Sequence, residues 1–244
     1  MFVFIRLGSV DLAEWDEAYY SSRASVVVIH NAWLDQSEYA AGGLWTGSHP
    51  PFAIWLMALS AKLFGLNEWA FRIPSAVLGI CSVALVFLFG KELLKDGFTS
   101  LLASLSLVAV TIFTKHARVG QLDIPVLFCM VMTWSFFWRG MTRSMTNFVL
   151  AGVFLGLGLM TKIIVAFLVP MSIGLFVVWE FFRSSRSNGV RGLQGLLVLF
   201  ACGILISVPW HVAISLKLGS SYWEQAYGYH VLTRMSRPLE GFSS

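Results

Sequence analysis

Six apolar runs, at roughly residues 70–90, 98–114, 121–138, 147–161, 163–182 and 192–212, follow one another with short polar breaks. A helix needs about 17 to 25 apolar residues to cross a bilayer, and the runs approach or meet that length. Their continuity excludes a membrane β-barrel, whose strands alternate apolar and polar residues with period two. Hydrocarbon offers the backbone no hydrogen-bond partners, so helices are the remaining way across. Composition agrees: 12% of the 244 residues are charged, about half the share in an average soluble chain. The expected fold is all-α, a polytopic membrane helical bundle forming one domain over residues 1–244, with a long extracytoplasmic first loop carrying interfacial helices. Only Thr161-Lys162 separates the fourth run from the fifth, which predicts a tight hairpin or a kinked segment.

Basic residues give the orientation. Lys91 and Lys95 follow the first run, Arg139 and Arg143 the third, and Arg183, Arg186 and Arg191 the fifth. The same breaks hold three acids, Glu92, Asp96 and Glu180, so the whole formal charge of +4 sits there. Short loops rich in Lys and Arg stay cytoplasmic. Residues 9–69, the turns at 115–123 and Lys162, and residues 213–244 are then expected on the extracytoplasmic side. No basic run is interleaved with aromatics, so nucleic acid is not an expected partner. Cys81, Cys129 and Cys202 lie in apolar runs without metal-ligand or disulfide spacing, and read as packed thiols. Trp210 reads as an interfacial anchor closing the sixth run and His211 as structural. The first eight residues, MFVFIRLG, read as the end of a spanning helix whose greater part is missing, so the chain is expected to be a fragment or to have a misplaced start. Further spans or a soluble domain are expected to follow residue 244.

Function is expected on the extracytoplasmic side, because long loops commonly carry it. The loop at 9–69 contains WDEAYY (Trp15 to Tyr20), then GLWTGSHPPF (Gly43 to Phe52), then an amphipathic segment from Ala53 to Phe64 that is too short to span and suits the interface plane. Asp16 and Glu17 are adjacent, so on a helix they diverge by about 100°; one can act chemically while the other positions or packs. A carboxylate flanked by Trp15, Tyr19 and Tyr20 is expected to be partly desolvated, with its pKa raised toward that of a general base. A solvated acidic loop is the plainer alternative. Arg118 and Asp123 share one turn of the same face, His49 precedes Pro50-Pro51, Lys162 lies at another helix mouth, and His230, Arg234 and Arg237 lie in the last loop. The bases can simply snorkel to the headgroups, or they can bind an anion. Acids beside a hydroxyl and cations around a phosphate are the parts that break a sugar–phosphate bond at a membrane surface.

The series WDEAYY, SHPPFAIWLMALSAKLFG, FRIPSAVLG, ARVGQLDIP, GLGLMTK and VPWHVAI resembles the C-type, polyprenyl-phosphate-sugar-dependent glycosyltransferases, most of all the protein mannosyltransferase and aminoarabinose transferase group. The resemblance implies that Asp16 is the base or acceptor-orienting carboxylate, with Glu17 as its partner and Asp123 as a second acid at a helix mouth. It also implies that Lys162 contacts the donor phosphate. The expected site adds Arg118, His49 and Arg234 around that phosphate and places Tyr19, Tyr20 and His230 toward the acceptor or sugar. Aminoarabinose transferases have Glu before the Lys-Pro and an Arg soon after the Asp-Glu pair; this chain has Ser48 in the first place and Tyr19-Tyr20 in the second. No metal ligand set is therefore assigned, no cofactor is named, and a divalent metal is left open.

The implied enzyme is an inverting glycosyltransferase of the cell membrane, multi-pass, with an extracytoplasmic site. It would move a hexose or pentose from a polyprenyl-phosphate donor to a hydroxyl of a lipid, glycan or protein. A lipid or solute transporter, a flippase, and a non-catalytic relative are the alternatives carried forward.

Overall fold

The structure is a computed structural model that describes residues 2–13, 15–44, 49–183, 186–226 and 228. After a 3-10 turn at Phe2–Phe4 come α1 (Asp16–His30), α2 (Phe52–Phe64), α3 (Glu68–Leu94), α4 (Gly97–Ala109), α5 (Thr111–His116), α6 (Asp123–Thr142), α7 (Thr146–Leu159), α8 (Ile163–Arg183), α9 (Arg186–Leu218) and α10 (Ser220–Trp223). The described residues contain no strand. Helices α3, α6, α8 and α9 are long and apolar enough to cross a membrane. Two expected spans are occupied by shorter apolar helices, α4 with 13 residues and α7 with 14, which reach only about 20 Å.

Local chemistry sets several boundaries. The Asn67 side chain accepts the Ala70 N–H at 2.9 Å and starts α3. Asp96 caps α4 through the Phe98 and Thr99 amides, as short polar side chains at this position do. The second run is not one continuous helix: Val110, with φ −71° and ψ 108°, separates α4 from α5. No proline or glycine marks this bend. Tertiary packing accounts for it, because the redirected α5 buries Phe113, followed by Ala117, against Ile124.

Two cores result. Tyr20, Ala24 and Val27 of α1 pack on Ala53, Ile54, Met57, Ala58 and Ala61 of α2 and on Ala70 and Phe71 of α3. Leu59, Leu63 and Phe64 on the rest of α2 stay exposed. The second core joins Phe137, Phe148, Leu155, Ile173 and Leu199 from α6 to α9. Here α7 lies so close to α9 that a Cβ on Gly152 would come within 2.5 Å of the Cys202 Cβ, and one on Gly156 within 2.5 Å of the Ile206 Cβ. Small residues four apart allow this approach.

The bundle has two chemically distinct ends. At one, Arg139 forms a bidentate pair with Glu92 (Nη2 to Oε1, 2.8 Å), and the Arg191 Nε donates to the Gly140 carbonyl at 2.9 Å. Glu92 and these arginines draw together the end of α3, the α6–α7 turn and the start of α9. At the other end the Phe52 N–H donates to the Met160 carbonyl at 2.8 Å, tying the start of α2 to the end of α7. Trp210 corrects an expectation: it is buried at 6% exposure and donates to the Leu34 carbonyl at 3.1 Å. The 31–44 segment folds over it, so the indole is a clamp inside the protein and not an interfacial anchor. Lys217 at the end of α9 adds a 2.9 Å ion pair to Asp35 in the same segment.

Candidate functional site

Helix α1 begins at a strained point. Trp15 precedes it with φ 66° and ψ −112°, a region that is costly for a bulky residue. What holds it is the next turn. The Glu17 side chain, wholly buried, receives the Arg72 Nε at 2.7 Å and the Gly120 N–H at 2.8 Å on Oε1. Its Oε2 receives the Arg72 Nη2 at 2.9 Å and the Ala13 N–H at 2.7 Å. Arg72 also donates to the carbonyls of Leu7, Val10 and Asp11, so all five of its N–H groups are used.

Asp16, on the next spoke of the helix, is exposed. The expected desolvated carboxylate is therefore Glu17, and the expected rise in pKa is reversed. Burial pushes the Glu17 carboxyl up, but the hydrogen bonds from Arg72, Gly120 and Ala13 outweigh it and hold the group below the usual carboxylate range. Tyr19 is half-buried, edge-on to Trp15 with ring centres 6.4 Å apart. Tyr20 is buried in the α1–α2 core, edge-on to His49 at 6.1 Å.

Three residues beyond Gly120, Asp123 opens α6, where a negative charge suits the helix dipole. Its Oδ1 accepts the Lys162 Nζ at 3.0 Å, and its Oδ2 lies 3.5 Å from the His116 Nδ1. Asp123 and Lys162 are 39% and 41% exposed, so this pair is open to water or a ligand. Glu17, through Gly120, fixes the turn that leads into Asp123 and thereby ties the start of α1 to the start of α6. Arg118, in the same turn, donates to the carbonyls of Val3 and Ile5, an anchoring contact for the N-terminal segment.

His49 is placed through its backbone. Its carbonyl accepts the Arg23 Nη2 at 2.9 Å, and the Arg23 Nε and Nη2 both reach the Gln36 Oε1. Arg23 is fully buried, which lowers its pKa to about 10 and leaves it charged at neutral pH. An apolar cavity of about 620 Å³ opens between α7, α8 and α9, and Leu159 and Ile163, on either side of the Lys162 turn, line its wall with Phe167 and Ile204. Within the described residues no group of three or more His, Cys, Asp or Glu side chains comes together; His116 and Asp123 supply two. His230 and Arg234 lie outside the described residues.

Residues 48–210 match the family model described as dolichyl-phosphate-mannose-protein mannosyltransferase. The chain belongs to that family. It is 28% identical to undecaprenyl phosphate-alpha-4-amino-4-deoxy-L-arabinose arabinosyl transferase 1 of Pseudomonas fluorescens, over 85% of this chain and 41% of the relative. To the putative mannosyltransferase YkcB of Bacillus subtilis it is 25% identical, over 91% of this chain and 32% of the relative. The chain thus spans less than half the length of these curated relatives. A crystal structure of ArnT from Cupriavidus metallidurans bound to undecaprenyl phosphate shares the fold, with a TM-score of 0.75 at 18% identity over 93% of this chain and 42% of that one. The all-α, multi-pass membrane architecture is that of the family.

Sequence reasoning named Asp123 and Lys162 but missed His116, Arg72 and Arg23. Arg72 had a usable signal: it is the lone arginine of a largely apolar helix, where an unpaired charge would be too costly to keep. His116 had none, since its approach to Asp123 depends on the bend at Val110.

Proposed function

We propose that this chain carries the donor-binding end of a glycosyltransferase that moves a sugar from a polyprenyl-phosphate to an acceptor hydroxyl at the outer face of the membrane. The observation that carries the reading is the open Lys162–Asp123 pair, 3.0 Å apart, beside the mouth of the apolar cavity. A lipid phosphate needs a cation at headgroup depth and an adjoining apolar channel for its tail, and these two features supply them. Relatives whose names specify undecaprenyl-phosphate-linked aminoarabinose as donor support the same chemistry.

Phosphate leaves in this reaction. Lys162, with His49 beside the start of α2, stabilises charge as it grows on the leaving oxygen. Asp123 holds the ammonium in place before the donor arrives, and His116 stands 3.5 Å from the other carboxylate oxygen. Asp16 takes the proton from an acceptor hydroxyl that attacks the anomeric carbon from the opposite side, which inverts its configuration. Its exposure suits an acceptor arriving from water, while Glu17 and Arg72 fix the helix turn that aims it. Tyr19 borders the acceptor path, and Tyr20 supports His49 from the core. Any share of Arg118 in phosphate binding falls to donors other than those on the Val3 and Ile5 carbonyls.

The test is transfer from a radiolabelled polyprenyl-phosphate sugar by the full-length protein. Asp16→Asn should reduce the rate by about 10² to 10⁴-fold, with expression and donor binding unchanged. Wild-type rates in that variant would remove Asp16 from the chemistry.

A further inference from the structure

At the end of the bundle opposite the candidate site, an open recess of about 620 Å³ lies beside the first turns of α9, lined by Met145, Arg186, Ser187, Val190, Arg191 and Gln194. We infer that this recess binds the phosphate of an anionic phospholipid. None of the residues assigned to glycosyl transfer lines this recess.

Two guanidiniums and two neutral polar side chains face the recess, and none of the six lining residues is acidic. Of the three acids at this end, Glu92 and Asp96 are committed elsewhere. Glu92 takes Arg139 in a bidentate pair and Arg143 at 3.3 Å. Asp96 caps α4. Arg191 is held rigid, since its Nε and Nη2 donate to the carbonyls of Gly140 and Arg143. Arg186, five residues earlier on α9 and lining the same recess, is exposed. A fixed cation beside a mobile one can close on a phosphate from two sides.

A lipid is favoured over a free anion by what continues from the recess. Val190, Leu193 and Leu197 are 41%, 50% and 65% exposed, and their spacing sets them in one stripe along α9. This stripe runs from the arginines toward the middle of the helix, as an acyl chain would below its headgroup. Gln194, also exposed, sits two turns in from Arg186, where its amide meets the glycerol esters instead of bare hydrocarbon. Basic recesses at helix ends are where anionic headgroups bind.

The probe is phosphatidylglycerol. Full-length protein is released from mixed phosphatidylcholine and phosphatidylglycerol vesicles, and the retained lipid is counted by native mass spectrometry. Wild type should retain phosphatidylglycerol in preference to phosphatidylcholine. Arg186→Gln, at an exposed side chain, should lower that retention about five-fold, the worth of one near-surface base. Lys91→Gln removes an exposed base at the same end but outside the recess, and should leave retention at the wild-type level. Equal losses in the two variants would mean diffuse surface charge, and no loss with Arg186→Gln would mean no site; either result overturns the proposal. Inorganic phosphate in excess should fail to displace the lipid. Displacement would assign the recess to a free anion and overturn it as well.

Discussion

Glu17–Arg72 and Asp123–Lys162 are both carboxylate–cation pairs at the same end of the bundle, yet their surroundings give them opposite properties. The first is 0% and 6% exposed and its carboxylate accepts four hydrogen bonds. Nothing further can bind there without breaking the pair. The second is about two-fifths exposed on each side and joined by one contact at 3.0 Å. A half-solvated pair of this kind contributes little to stability, and its cation can be shared with an incoming anion. Saturation makes an acid architectural, and incomplete saturation leaves it available for chemistry.

The largest expected effect that separates the two is on folding. Arg72→Ala leaves Glu17 as an uncompensated buried charge and three carbonyls without donors, and should cost about 3 to 5 kcal/mol. Thermal unfolding of the full-length protein in detergent reads this as a marked fall in Tm; an unchanged Tm would refute the contrast. Lys162→Ala should do the reverse. Loss of a charge-assisted hydrogen bond to phosphate, about 1.5 to 3 kcal/mol, weakens donor binding by roughly 10 to 100-fold while Tm hardly moves. If acceptor affinity fell instead, the phosphate assignment would be wrong.

Acid is the next discriminator. The Glu17 pKa is lowered in the folded state from its ordinary 4.5, so its stabilising contribution is complete above about pH 4.5 and is lost as pH falls through the depressed folded value. Tm should drop across that acidic window in the wild type and less steeply in Glu17→Gln; parallel curves would count against the assignment. Salt should produce the smallest effect. Raising ionic strength screens the open pair far more than the buried one, so donor affinity should fall several-fold in a binding titration while Tm stays nearly constant.

Much of the bundle was legible in the sequence because hydrocarbon imposes a one-dimensional rule. Apolar run length predicted α3, α6 and α8 to within four residues, while α9 extends six residues beyond its run at each end, and the bases after the odd-numbered runs predicted which turns share an end. The 52–64 helix was also readable, being amphipathic and too short to span. Helix α1 was not, since the segment around Val26 and Val27 is short and becomes a helix only when α2 and α3 cover one of its faces. Asp123 and Lys162 could be named from their positions at helix mouths. The adjacent pair Asp16-Glu17 could not be apportioned that way. Rotation of α1 against Arg72 decides which carboxylate is buried, and Arg72 lies 55 residues along the chain from Glu17.

The sequence by itself determined an all-α membrane bundle with its excess positive charge at one end, because burial of apolar length and local charge are additive along the chain. Only the tertiary structure decided which charges are saturated. Counting the donors around Glu17 requires Ala13, Arg72 and Gly120 together, and the bend at Val110 that brings His116 to Asp123 exists only when α5 packs on α3 and α6. Hydrogen-bond satisfaction depends on contacts between distant segments, so it is settled by the fold and not by any local stretch of residues.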